Sequence, residues 1–258
     1  KFTVTPNSGF KAELETNTCG GTLSGNIYTI SNITSNKTCT ITFKPNLPTL
    51  YDKILADNPT IKIRTDFNTT FTETNTRTLY KATESIAGNT PKDVYYFAGD
   101  AKNNWVKFGG FYWRIIRTNY DGSIRLLYSG TSPDTTSGYI GKSAFYGTYN
   151  DPMYVGYMYG TTGSLGNNRL NTNNSAIKTY IDSWYNNNLS SYSKYISTEA
   201  VYCNDRELAS GSTYSTGSSF NYAPYGRLAT NKTPTYNCAN IKDAFSGSNS
   251  EAKLTYPI

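Results

Sequence analysis

The chain has 258 residues, 24 Lys or Arg against 18 Asp or Glu, no His, and a formal net charge of +6. Its basic residues are scattered singly, which points to solubility and away from nucleic acid. The missing imidazole excludes Ser-His-Asp and Cys-His nucleophiles, HExxH zinc sites and the commonest nitrogen ligand of zinc.

Apolar supply is narrow: 24 Tyr, 11 Phe and 3 Trp sit within a hydrophobic fraction of 37%. Aromatic bodies must therefore do much of the packing, with hydroxyls left at the water. Charged residues make up only 16%, and Asn, Thr, Ser and Gly supply the remaining polar surface, as in secreted β-rich proteins. No apolar run approaches a membrane span, and Lys1 does not open a signal peptide, so the expectation is an internal piece of a longer exported polypeptide without membrane insertion.

Residues 1–46 read as a small β unit. KFTVTPNSGFKAELE alternates and turns at Asn7-Ser8-Gly9, and NIYTISNIT and KTCTITF carry period-two patterning. Phe2, Val4, Phe10, Tyr28, Ile30, Ile33, Ile41 and Phe43 are its candidate core. So short a unit needs a staple, which gives a Cys19–Cys39 bridge a physical purpose. The phrases GFKAELETNTCGG and GNIYTISNITSNKTCTITFK resemble the β-grasp-like repeats of Gram-positive surface proteins, including internalin B-type repeats. That resemblance implies a spacer or stalk.

After Pro45 the character changes. Leu50, Ile54 and Leu55 at helical spacing, opened by Pro48-Thr49 and stopped before Pro59, predict a short helix. The polar segment TDFNTTFTETNTRT reads as an extended arm or a connector. Residues 93–130 then carry the densest pattern, with YYF, WVKF, FYWRIIR and SIRLLYS as successive strands and Asp121-Gly122 in a hairpin turn. Phe111, Trp113, Ile115, Ile124, Leu126 and Tyr128 are expected to share one buried face.

Residues 136–168 combine many Tyr and Gly with few charges and several turn signals, so long loops are expected there. Tyrosine on glycine-flanked loops is the composition of recognition surfaces, because each ring supplies contact area at small entropic cost. Tyr139, Tyr146, Tyr149, Tyr154, Tyr157 and Tyr159 are therefore the candidate ligand contacts. Next comes NNSAIKTYIDSWYNNNL, a helix capped by Ser175 with Ile177, Tyr180, Ile181 and Trp184 on one core-facing stripe.

The four cysteines form two sequence-local pairs, Cys19 with Cys39 and Cys203 with Cys238, without the spacing of a zinc knuckle or a CxxC motif. In an apparently exported chain they are expected as disulfides. A reactive Cys203 would need a base that this chain lacks. Asp182, Glu199, Asp205 and Glu207 are the acids near it, but no spacing selects a catalytic pair, and acids beside Arg206 are expected in salt bridges. No GxxxxGK[ST] loop and no GxGxxG after a strand occurs. No catalytic residue, metal site or cofactor is assigned.

The succession WVKFGGFYWRIIRTNYDGSIRLLYSGTS, SAIKTYIDSWYNNNL, AVYCNDRE, GRLATNKTPTYNC and KLTYPI resembles a C-type-lectin-like domain of uncharacterised surface proteins from gut Gram-positive bacteria. The resemblance covers roughly residues 47–258 and supports pairing Cys203 with Cys238. It implies an α+β fold: a β unit at 1–46, then a lectin-like domain at 47–258 with a twisted antiparallel sheet, one or two helices and long loops. Family members continue past the KLTYPI phrase into further strands, so either the fold is cut short at the C-terminus or outside strands complete the sheet beside Phe111–Arg117 or Ser123–Tyr128. The calcium-dependent sugar phrases Glu-Pro-Asn, Gln-Pro-Asp and Trp-Asn-Asp are missing, so "lectin" does not follow from fold resemblance.

Three functional classes remain. The first is a non-catalytic extracellular cell-surface module that binds a host or environmental glycan or protein. The second is a structural wall or filament subunit assembled with a neighbouring copy by strand sharing. A carboxylate-dependent carbohydrate-active enzyme is the third.

Overall fold

The computed structural model describes residues 1–68, 77–133, 138–147, 158–160, 170–211, 222–256 and 258. The chain is mixed α+β, with antiparallel sheets and few helices, and divides into two compact units, Lys1–Lys53 and Ile54–Ile258. The expected boundary at 46/47 lies just ahead of this division, which falls inside helix α1, Leu50–Asp57. Thr49 opens α1 with a reciprocal cap: its N–H and hydroxyl donate to Asp52 at 3.0 and 2.7 Å, and Asp52 N–H donates to the Thr49 hydroxyl at 3.1 Å.

The first unit holds β1 (Phe2–Thr3), β2 (Phe10–Asn17), β3 (Thr22–Ser24), β4 (Ile27–Thr29) and β5 (Ile41–Pro45). They form a three-stranded sheet in the order β1-β4-β3 and a two-stranded β2-β5 sheet, all antiparallel. Of the eight residues expected as its core, only Tyr28 is buried, while Phe2, Phe10 and Ile33 are exposed. Val4, Ile30, Ile41 and Phe43 are half-buried, since strands this short cover few side chains completely. Tyr28 is held by its hydroxyl, which donates to Asn17 Oδ1 and accepts from Gly21 N–H at 3.0 Å. Gly21 must be glycine, because a Cβ there would lie 2.4 Å from the Tyr28 ring and 2.7 Å from the Thr29 carbonyl. The Cys19–Cys39 disulfide staples this unit as expected.

The second unit is built on a six-stranded sheet. Its strands are β6 (Thr60–Ile63), β7 (Thr78–Glu84), β8 (Lys92–Tyr96), β9 (Trp105–Phe108), β10 (Phe111–Thr118) and β11 (Ile124–Tyr128), in the order β11-β10-β8-β7-β6 with β9 also on β10. The β6–β7 pair is parallel and the others are antiparallel. The strands β8 to β11 fall where the alternation places them; β6 and β7 do not stand out in the sequence.

The expectation that β10 borders a gap is not met. One side of β10 pairs with β11, and the other is completed by three pieces of the same chain. β9 covers residues 111–114, and Asn104 covers Ile115 on both polar groups, accepting its N–H at 2.7 Å and donating its amide to its carbonyl at 3.1 Å. Phe97 N–H then reaches the Ile116 carbonyl at 3.2 Å, and Tyr95 N–H the Thr118 hydroxyl at 2.9 Å. Backbone groups that would be costly to bury alone are thus paired internally. β11 is the edge strand at this end of the sheet; it is five residues long, and Arg125 on it reaches the Val201 carbonyl at 2.5 Å and the Tyr202 ring.

The expected face forms, with Trp113 opposite Tyr128 and Ile115 opposite Leu126. A bulge at Ile116 then sets Arg117 against Arg125. Two like charges across a ladder repel. Buried Glu84 on β7 resolves this by taking Arg117 in a two-point ion pair at 2.7 and 3.0 Å.

Helix α2, Ala176–Asn188, is capped by the Ser175 hydroxyl, which accepts from Lys178 N–H at 3.2 Å. Its buried stripe runs through Lys178 and Tyr185 to Leu189, one position off the expected stripe, so Tyr180 faces solvent and Trp184 is half-buried. Trp113, Tyr128, Phe111 and Trp184 meet edge to face, or tilted in the case of Phe111–Trp184, at ring separations of 5.2 to 6.5 Å. Farther on, β12 (Tyr202–Cys203) pairs with β13 (Ala244–Phe245), and the backbone of Cys238 bonds to Ser85 and Ala87 beyond β7.

Candidate functional site

The cysteine in AVYCNDRELASG is bonded to Cys238, which joins β12 to the segment beside β7. Among the described residues no free cysteine remains. The acids nearby are committed in a way that sequence adjacency does not reveal. Arg206 does not pair with its neighbours Asp205 and Glu207; its Nε donates to Asp243 Oδ1 at 2.6 Å and its backbone N–H to Asp243 Oδ2 at 3.1 Å. Asp205 instead accepts from Arg227 Nη2, and the Asp205 backbone has a φ of +28°, uncommon for a residue with a side chain. Asp182 on α2 binds Lys178 at 2.5 Å. Beside the disulfide these residues leave a cavity of about 100 Å³ lined by Asp205, Glu207, Arg227, Asn237 and Asp243.

The second region is the loop 138–147 on α2. It is pinned at three points. Gly138 approaches Ser129 so closely that a Cβ would lie 2.8 Å from its Cα, the Tyr180 hydroxyl donates to the Ile140 carbonyl at 3.1 Å, and Ala176 N–H donates to the Phe145 carbonyl at 2.7 Å. Gly141, at φ +153°, makes room for Tyr180, since a Cβ there would fall 2.0 Å from the phenol oxygen. The outcome is an aromatic surface on a fixed frame: Tyr139 is 60% exposed, Tyr180 39% and Phe145 36%, with Tyr146 half-buried beside them.

The six tyrosines singled out by sequence separate accordingly. Tyr139 and Tyr146 lie on this loop, and Tyr149, Tyr154 and Tyr157 lie outside the described residues. Tyr159 is a core residue, 5% exposed, stacked on Phe245 at 5.6 Å and donating its hydroxyl to the Lys253 carbonyl at 2.6 Å. Burial, reinforced by the Asp182 carboxylate, pushes its phenol up to about 12. As a packed, bonded ring it cannot serve as a surface contact, which corrects that expectation. Phe145 and Tyr180 were not foreseen as contacts. Tyr180 was placed on the core stripe, and only its distance from the Lys178–Tyr185 line removes it.

Comparison with protein-family models, with curated proteins and with solved structures finds no match to this chain. Among the described residues no helix is long and apolar enough to cross a membrane, and no cluster of acidic, Cys or His side chains is arranged to hold a metal ion.

Proposed function

We propose that this chain is a non-catalytic extracellular surface module that binds a host or environmental glycan or protein through the aromatic surface of loop 138–147 and α2. The observation that carries this reading is the exposure of Tyr139 and Phe145 on a loop whose backbone is fixed by Gly138, Gly141 and the α2 N-terminus, together with the exposure of Tyr180 on α2, whose hydroxyl bonds to that loop. Aromatic side chains lose little entropy when they are covered, so open ones on a pinned backbone are suited to contact. Two disulfides agree with an oxidising location. The sheet, antiparallel except for its β6–β7 pair, the following helix and the Cys203–Cys238 bridge support a lectin-like reading of the second unit, and the stapled first unit suits a spacer. Pairing of Asp182 with Lys178 and of Asp205 with Arg227 favours binding over carboxylate catalysis.

A second reading, assembly with a neighbouring copy by strand sharing, is favoured by β6, an edge strand whose four residues are all exposed, Ile61 and Ile63 included. The test is one experiment. The intact oxidised chain is applied to glycan and extracellular-protein arrays beside its Tyr139→Ala and Tyr180→Ala variants. Selective retention that both variants lose is expected. Retention unchanged by both variants, or no retention on either array, rejects the aromatic surface, and a concentration-dependent oligomer sensitive to Ile63→Lys would replace it with strand sharing.

A further inference from the structure

Strand β9 has one paired side and one open side. It bonds to β10 alone, and no strand among the described residues lies along its other edge. The ladder fixes which groups point there. Ile115 N–H donates to the Asn104 carbonyl at 2.7 Å, so Asn104 and Ile115 mark a bonded position, and antiparallel alternation makes Val106 with Trp113 the next one. Trp105 and Lys107 therefore turn their N–H and C=O groups away from β10, where neither finds a backbone partner among the described residues. Open groups of this kind are a template for one more strand.

The side chains define what that strand must carry. Val106 and Phe108 pack into the cluster around Trp113, so Trp105 and Lys107 lie on the opposite, outer face of the sheet. There two cross-strand pairs set cations against rings: Arg114 lies over the Trp105 ring at 4.5 Å, and Lys107 stands 5.6 Å from the Tyr112 ring. Residues 105–120 contain no acid. Lys107 is exposed and makes no ion pair among the described residues. The acid that precedes β9, Asp100, is taken by Lys102 at 2.8 Å. On the inner side the edge offers Phe108 and, edge-on against it at 5.5 Å, Tyr192, which is 37% exposed. A strand laid here meets positive charge on one face and aromatic surface on the other.

The same charges disfavour a second copy as the occupant. Another β9 brings another Lys107, and the β6 edge of a second copy brings Lys62; like charges facing each other across a ladder repel. A lipid surface or a sugar polymer lacks the alternating peptide groups that this edge can bond.

We propose that β9 is a docking edge for an extended acidic segment of another polypeptide. The segment bonds through its main chain to Trp105 and Lys107, with acidic side chains toward Lys107 and apolar ones toward Phe108 and Tyr192. The edge shares no residue with the aromatic surface and stands whether or not that surface binds.

The test is a backbone-amide NMR titration of the intact oxidised chain with the capped peptide Glu-Val-Glu-Val-Glu-Val. The amides of Trp105 and Lys107 should shift, and Lys-Val-Lys-Val-Lys-Val should leave them in place. Two further peptides, N-methylated on the Glu or on the Val amides, keep the charges but each remove one set of main-chain donors; at least one of them should lose binding. Lys107→Glu, an exposed change whose unaltered Tm verifies the fold, should weaken the acidic peptide about tenfold and admit the lysine peptide. Tyr139→Ala should bind the acidic peptide as the parent does. No shift at Trp105 and Lys107 up to about 1 mM acidic peptide overturns the docking edge. So does equal binding of all three acidic peptides, indifference to Lys107→Glu, or shifts confined to the β6 edge.

Discussion

Removing the charge of Asp243 tests whether the acids around Cys203 are structural. Arg206 and Asp243 side chains are only 2% and 4% exposed, and the guanidinium spends its donors on Asp243, on Asn171 Oδ1 at 3.1 Å and on the Lys242 carbonyl at 2.8 Å. In Asp243→Asn the cation stays buried without this carboxylate, and one of the two N–H groups now facing Asp243 meets an amide donor. Breaking a buried ion pair from one side costs about 3 to 5 kcal/mol. For a unit of this size each kcal/mol is worth roughly 2 to 4 °C, which predicts a fall of about 6 to 20 °C in Tm. The double variant Arg206→Met with Asp243→Leu removes both charges and orphans chiefly the residue-206 backbone N–H, so it should cost only about 1 to 3 kcal/mol. Guanidinium unfolding followed by tryptophan fluorescence is the suitable assay, because Trp105, Trp113 and Trp184 all lie in the second unit and report it alone. A single-variant cost under about 1 kcal/mol, or a double variant at least as unstable as the single one, would refute the reasoning.

Non-reducing peptide mapping should recover the 19–39 and 203–238 bridges, and reducing either should cost about 3 to 4 kcal/mol by loop-closure entropy; free thiols in the native protein would contradict this. Gly141→Ala should expel Tyr180 from its seat on the loop and reduce array retention, with retained activity counting against a preformed surface. Hydrogen bonds from Lys11 and Lys44 hold the exposed Glu13 carboxyl down at about 2, below its ordinary 4.5. The depressed value means that its stabilising contribution is present above pH 4.5 and is lost as pH falls toward 2. NMR titration should show the low midpoint moving upward in salt, and a salt-independent midpoint near 4.5 would remove the effect.

What the sequence reveals and what it hides follow from how far a pattern reaches. Strands β8 to β11 were legible because Trp113, Ile115, Leu126 and Tyr128 alternate locally and pair with one another. The cap Ser175 and the cysteine pairs were legible for the same local reason. β7 was not, because TLYKATE places Lys81, Thr83 and Glu84 where a central strand should read apolar. Glu84 is buried only because Arg117 arrives from a strand 33 residues later. Partners at such separations leave no trace in a single chain, and this is why Arg206 could not be matched with Asp243 or Asp205 with Arg227. In the first unit the alternation was read correctly but overestimated the core, since period two fixes faces and not what covers them. The aromatic region was found by composition, which could not distinguish the stacked Tyr159 from the open Tyr139.

The bond from Ser85 N–H to Asn237 spans 152 residues, and its neighbour Ser85 carbonyl waits for Cys238 N–H. A chain made from its N-terminus produces the end of β7 well before the segment that completes it, by roughly ten to thirty seconds at ordinary synthesis rates. Through that interval the unit can hold a sheet but not a finished end, and once Cys203 is made its thiol still waits 35 residues for its mate. Under the extracellular reading proposed above, export in an unfolded state suits such a design, because closure is deferred until the late segment is present. Oxidation of Cys203 with Cys238 then records that the late segment has docked in the right place.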